Sequence, residues 1–139
     1  MIRWLTWLCL LLNMQTLTGC SSPPKPAETG TQAADLSKSI QAGAVLAVRV
    51  LNQVAAAWID SRKEPTSAEL EVMRTVVGAL AKARDVLNSA ADVDAKIVEV
   101  AKQLKLATDM LAAVGVTPPP EAGPVLEFID GYARARGAQ

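Results

Sequence analysis

The sequence predicts an all-α protein: a small three-helix bundle, with helices at about 34–61, 66–88 and 90–115, followed by a short C-terminal helix. Three observations lead there. From Asp35 onward, apolar residues recur at alternating steps of three and four, the spacing that lines one face of a helix. Breaks at Ser61–Pro65, Asn88–Ser89 and Gly115–Pro120 divide that pattern. A chain of 139 residues, 50% apolar and 20% charged, has the size and composition of one small globular domain.

The first twenty residues stand apart from this pattern. Arg3 gives a short positive start, and Trp4 to Leu12 form an apolar run interrupted only by Thr6. A bilayer core about 30 Å thick needs roughly 20 apolar residues in a helix, so the run is too short to span one and reads as a secretory signal. It closes on Leu17-Thr18-Gly19-Cys20: an aliphatic residue, two small residues and a cysteine. This tetrapeptide resembles the lipobox of bacterial lipoproteins. The resemblance implies that the Cys20 thiol is alkylated with diacylglycerol, that the signal (1–19) is cut between Gly19 and Cys20, and that Cys20 is then N-acylated. It also implies an envelope address. Ser21 stands where an Asp favours inner-membrane retention in that family, so the expected site is the outer membrane, facing the periplasm. Cys9 would leave with the signal, and no disulfide or free thiol would remain for the domain.

Residues 20–34 read as a lipidated cysteine and a flexible tether, because Pro23, Pro24, Pro26 and Gly30 fall among small polar residues without apolar periodicity. In extended form, at about 3.1 Å per residue, such a segment reaches roughly 40 Å. The bundle proper is expected over 35–115. In its first helix Leu36, Ile40, Gly43, Ala47, Leu51, Val54 and Trp58 share a face, and Leu46, Val48, Val50 and Ile59 widen it, as in a helix that touches two neighbours. Ile40 to Ile59 nearly has the length of a membrane span, but Arg49 near its middle opposes insertion by about 2.5–3.5 kcal/mol.

Thr66 and Glu69 form a capping box that starts the second helix, with Leu70, Met73, Val77, Leu80 and Leu87 on its face and Val76 and Ala83 beside it. The repeat slips at Asn88–Ser89. Ser89, with Asp92 three residues on, reads as the next cap; a single bent helix from Thr66 to Val114 is the alternative. The third helix carries Val93, Ile97, Val100, Leu104, Ala107, Leu111 and Val114, and Gly115 stops it before Pro118, Pro119 and Pro120. Residues 116–139 then read as a Pro-rich linker, a short amphipathic helix and a tail that frays from Arg134 onward. Val125, Phe128, Ile129 and Tyr132 share one face of that helix. It either folds back over the bundle or presents Phe128, Ile129 and Tyr132 to a partner.

The chemistry visible in the chain is sparse. Fourteen Lys+Arg balance 14 Asp+Glu, so there is no basic excess to hold a phosphate backbone, and no nucleic-acid partner is expected. With no His, the commonest general base and transition-metal ligand are missing, and no metal site is expected. The pairs Glu69/Glu71 and Asp92/Asp94 are two apart, so their carboxylates do not face each other on a helix; they suit helix N-termini instead. These residues lead to a non-catalytic structural or protein-interaction module, anchored to the membrane by lipid and meeting an envelope protein or a second copy of itself. The covalent lipid on Cys20 is the only non-protein group expected. A carrier of apolar ligands or lipid, with a cavity between helices, is one alternative. An envelope-disturbing accessory, as in phage lysis or exclusion, is another.

Overall fold

The computed structural model describes the backbone of residues 26–137. The expected secretory leader, with Gly19, Cys20 and the first part of the expected tether, lies outside these residues. The chain divides into two units, 1–32 and 33–139, and the second is the helical bundle. Four α-helices build the described chain: α1 (Pro26–Ser61), α2 (Ser67–Asn88), α3 (Val93–Ala113) and α4 (Gly123–Gly137), with a 3₁₀ turn at Pro120–Ala122. No strand occurs among the described residues. The all-α bundle read from the sequence is the observed architecture.

The first helix begins eight residues before the expected position at 34. Residues assigned to the tether, Pro26 to Ala34, are helical instead. The reason is local. Proline is tolerated in the first turn of a helix, where its missing N–H has no partner to lose. Ala27, Glu28, Gln32, Ala33 and Ala34 are good helix formers, and a lone Gly30 costs only about 1 kcal/mol.

One interior joins all four helices. Ile40 and Leu51 from α1, Val76 and Leu80 from α2, Ile97, Val100, Leu104 and Leu111 from α3, and Ile129 from α4 are fully buried in it. Each removes a side chain from water for roughly 1.5–3 kcal/mol. Between them sit Ala44, Ala47, Ala55, Ala83 and Ala107, also buried, and these small residues let the helix backbones approach closely. On α3 the buried row is the one the sequence predicts. On α2 it is Met73, Val76, Leu80, Ala83 and Leu87, with Leu70 and Val77 left 42% and 46% exposed. The helix is turned away from the expected face because the alanines at 79 and 83 close-pack where larger residues would hold the neighbours apart. On α1, Ile40, Ala47, Leu51 and Trp58 are buried as expected, while Leu36, Leu46 and Ile59 are exposed.

The connections explain why the helices stop where they do. Thr66 and Glu69 make the capping box: Glu69 N–H donates to Thr66 Oγ1 at 3.2 Å, and Thr66 N–H donates to Glu69 Oε2 at 2.8 Å. The Thr66 N–H and hydroxyl, both donating to Glu69 Oε2 at 2.8 Å, hold the Glu69 carboxyl below its ordinary pKa, with Arg62 nearby at 3.5 Å. At the α1 end of the same corner, the Arg62 guanidinium lies 5.0 Å from the centroid of the buried Trp58 ring.

Helices α2 and α3 are separate, so the bent-helix alternative does not describe the chain. Ser89 closes α2 rather than opening α3: its N–H and hydroxyl both donate to Val86 O, at 3.1 and 2.7 Å. The cap of α3 is Asp92, whose carboxylate accepts from Asp94 N–H at 3.0 Å and Ala95 N–H at 3.4 Å. An anionic cap meets the positive helix end better than a hydroxyl does, so α3 begins at Val93, three residues after the expected start. Lys96, buried in the next turn, extends its Nζ to Leu87 O at the end of α2, 3.5 Å away. Gly115 adopts φ 75°, and two bonds seal the end of α3: Val116 N–H to Leu111 O at 2.9 Å and Gly115 N–H to Ala112 O at 3.0 Å.

The Pro-rich linker and short helix expected at the C-terminus are present, and the helix folds back on the bundle. Val116, Val125, Leu126 and Tyr132 pack against the common core, and helix α4 runs to Gly137, so Arg134 and Arg136 are helical rather than frayed. A Cβ placed on Gly43 of α1 would lie 3.5 Å from Val125 Cγ1, which puts α4 alongside that flank of α1.

Candidate functional site

The predicted docking face on α4 does not form as a unit. Ile129 is 1% exposed and sits in the core, which removes it from any docking surface. The cause is its neighbour Ala133: together they make the buried stripe of α4, and Phe128 is turned out to 51% exposure. Tyr132 is half-buried and engaged within the chain. Its hydroxyl donates to Asp94 Oδ1 at the start of α3, and Arg136 Nε lies 3.5 Å from Asp94 Oδ2. The Arg136 guanidinium also lies 5.4 Å from the Tyr132 ring centroid. The bond to Asp94 holds the phenol above its ordinary pKa, because ionising it would set two anions side by side. Tyr132 in turn raises the pKa of Arg136. This clasp fastens α4 to α3. Of the three α4 candidates, Phe128 alone remains on the surface.

A different feature gathers four of the large apolar residues that the bundle leaves exposed, Val45, Ile59, Leu70 and Val77. Val45, Arg49, Asn52, Ala56 and Ile59 follow one another on α1 at steps of four and three, on the flank away from Gly43 and Val125. Leu70, Arg74, Val77, Ala81, Arg84 and Asn88 do the same on α2. The two stripes border the α1–α2 seam. Two open hollows lie along it, one of about 450 Å³ lined by Val45, Val48, Asn52 and Leu87 among others, and one of about 430 Å³ lined by Ile59, Leu70, Met73 and Val77. Val45 and Ile59 are 53% and 45% exposed.

The charged residues that line the two hollows are all cations, while carboxylates beside them pair with two of the three arginines. Arg49 and Arg84 line the first hollow and Arg74 the second, and no carboxylate lines either. Glu71 and Asp85 lie just outside, 3.4 Å from Arg74 and 3.7 Å from Arg84 respectively. Arg49 makes no ion pair among the described residues. The arrangement offers apolar contact with cations along its edges, which suits recognition rather than bond-making. On the opposite side of α2, Lys82 reaches Glu99 of α3 at 3.1 Å, and Gln103 and Lys82 together hold the Glu99 carboxyl below its ordinary pKa.

Sequence reasoning missed this seam, although it contained the signal. The widened apolar face of α1 predicts two neighbours, and the spacing of Leu70 and Val77 with Met73 and Leu80 predicts a core position, whereas both border the groove. No group of three or more Cys, Asp or Glu side chains gathers to hold a metal among the described residues. The stretch Ala34–Ser61 is long and apolar enough to cross a membrane, and about 33% of its most apolar window is buried inside the bundle. Comparison of the chain with protein-family models, with curated proteins and with solved structures finds no match.

Proposed function

We propose that this chain is a lipid-anchored protein of the bacterial envelope, whose bundle acts by binding another protein and carries out no catalysis of its own. The observation that carries the binding part is the open α1–α2 seam: a run of exposed apolar residues bordered by arginines. The anchoring part rests on the resemblance of Leu17-Thr18-Gly19-Cys20 to a lipobox. Two or more acyl chains on Cys20, each buried methylene contributing about 0.8 kcal/mol, anchor the protein durably. Ser21 favours the outer membrane, with the bundle facing the periplasm.

Mass spectrometry of the protein from envelope membranes tests the anchor. The expected product starts at Cys20 and carries diacylglycerol and an acyl group, and Cys20→Ala leaves a soluble or unprocessed chain. An unmodified full-length chain in the cytosol refutes the address. Photo-crosslinking in intact cells tests the binding part, with envelope-protein adducts expected from the bundle surface.

A second reading, a carrier of apolar ligands, draws on the same seam, because the larger hollow of about 450 Å³ falls within the 300–1,000 Å³ range of small-molecule sites. Co-purifying lipid in gently isolated protein would favour it.

A further inference from the structure

Three packed helices create three surface grooves, and α4 occupies one of them. Its Val125 faces Gly43 of α1, and its Ile129 enters the core that α3 lines. The α1–α2 groove has no such covering helix among the described residues. From Val45 to Ile59 it runs about 21 Å at 1.5 Å per residue, the length of four helical turns. We propose that this groove receives one amphipathic helix of a partner protein. Its apolar residues, spaced three and four apart, fill the two hollows, and its flanking carboxylates face Arg49, Arg74 and Arg84. The proposal rests on the protein-binding reading above and specifies the partner's chemistry; it is independent of the lipid anchor.

Charge and shape select this occupant. A second copy docked through the same groove would bring together two edges that each carry three arginines and two carboxylates, a net positive charge on both sides, because a two-fold interface presents the same patch on both sides. A basic helix meets the same repulsion. An anionic bilayer matches the charge but is flat, whereas the apolar residues here lie in hollows between two ridges; a rod fits such a seam. An acidic amphipathic helix satisfies both demands, with apolar contact supplying affinity and the charged rim supplying selectivity.

The test uses the full chain in detergent and two synthetic helical peptides with the same leucine stripe, one flanked by glutamates and the other by lysines, followed by fluorescence anisotropy. The glutamate peptide should bind at least about tenfold more tightly than the lysine peptide, and added salt should narrow that gap. The triple variant Arg49→Glu, Arg74→Glu and Arg84→Glu should weaken the glutamate peptide about tenfold and strengthen the lysine peptide. These substitutions are on the surface, and far-ultraviolet circular dichroism checks that the helices persist. Equal binding of both peptides, or a preference unchanged by the triple variant, overturns the proposal. So does stronger, arginine-dependent binding to phosphatidylglycerol vesicles, or a dimer in sedimentation that competes with the peptide.

Photo-crosslinkers at Val45, Val77 and Phe128 in living cells separate the two levels of inference. Partner adducts from Phe128 alone overturn the groove assignment and leave protein binding standing. No adduct from any position removes both. Adducts at Val45 and Val77 that the glutamate peptide displaces support the groove.

Discussion

The two flanks of α1 are made of similar residues and have different fates. On one flank Gly43 lies beside Val125 of α4, and Val54 packs against the core that Ile129 completes. On the other, Val45, Ala56 and Ile59 border α2 and stay open. The difference comes from the chain beyond α3: Gly115 and the prolines turn it back, and it has one short helix to spend. Apolar surface on a helix therefore does not say by itself whether it belongs to the core or to a partner; that depends on how many covering segments the chain supplies.

The sharpest way to break this comparison is to truncate one residue on each flank. Ile129→Ala should destabilise the protein by about 2–5 kcal/mol, since a fully buried side chain leaves a cavity. Urea unfolding measures it, and a loss below about 1 kcal/mol would mean that α4 is not part of the closed flank. Next comes the turn that sends the chain back. Gly115→Ala, at φ 75°, should cost about 1–2 kcal/mol, and Gly115→Asn less, because Asn tolerates the left-handed region. At the mouth of the open flank, Thr66→Ala removes the capping box and should cost about 1 kcal/mol by the same measurement.

The clasp on the closed flank adds a pH signature. The Tyr132 pKa is raised in the fold, so its contribution is complete below the unfolded value of about 10 and is lost as pH rises through the higher folded value. Tyr132→Phe should abolish that alkaline loss in a series of unfolding curves. Glu69 and Glu99 have the opposite sign. Their lowered values give stability that is present above the ordinary carboxylate range, near 4.5, and lost as pH falls through the folded values. Glu99→Gln should therefore flatten the acid limb. The smallest effect belongs to the open flank: Val77→Ser should change stability by no more than about 0.5 kcal/mol, while lowering affinity for the acidic peptide.

Much of the fold could be read before any coordinates. The α3 row from Ile97 to Leu111, the Thr66–Glu69 box and the Gly115 stop are each specified by residues close in sequence, so local chemistry decides them. The facing of α2 was not legible in the same way. Leu70–Met73–Val77–Leu80 and Met73–Val76–Leu80–Ala83 are both valid helical series, and size favoured the first while close packing of alanines selected the second. The fate of Ile129 stays open in the sequence for a similar reason: its helix has apolar residues at 125, 126, 128, 129 and 132, and only the tertiary contact decides which of them turn inward. The groove needed both answers before it could be seen. Cys20 is the opposite case, read from four consecutive residues and lying outside the described structure.

Trp58, buried beneath the Arg62 guanidinium at the corner where the open seam ends, has a practical consequence. The other two tryptophans, Trp4 and Trp7, fall within the proposed leader, so a chain processed at Cys20 would carry a single indole. Its emission reports on one place alone, next to Ile59. Once processed in that way, the molecule would contain its own optical gauge beside Ile59, and filling of the seam could be followed on the native polypeptide without attaching a dye.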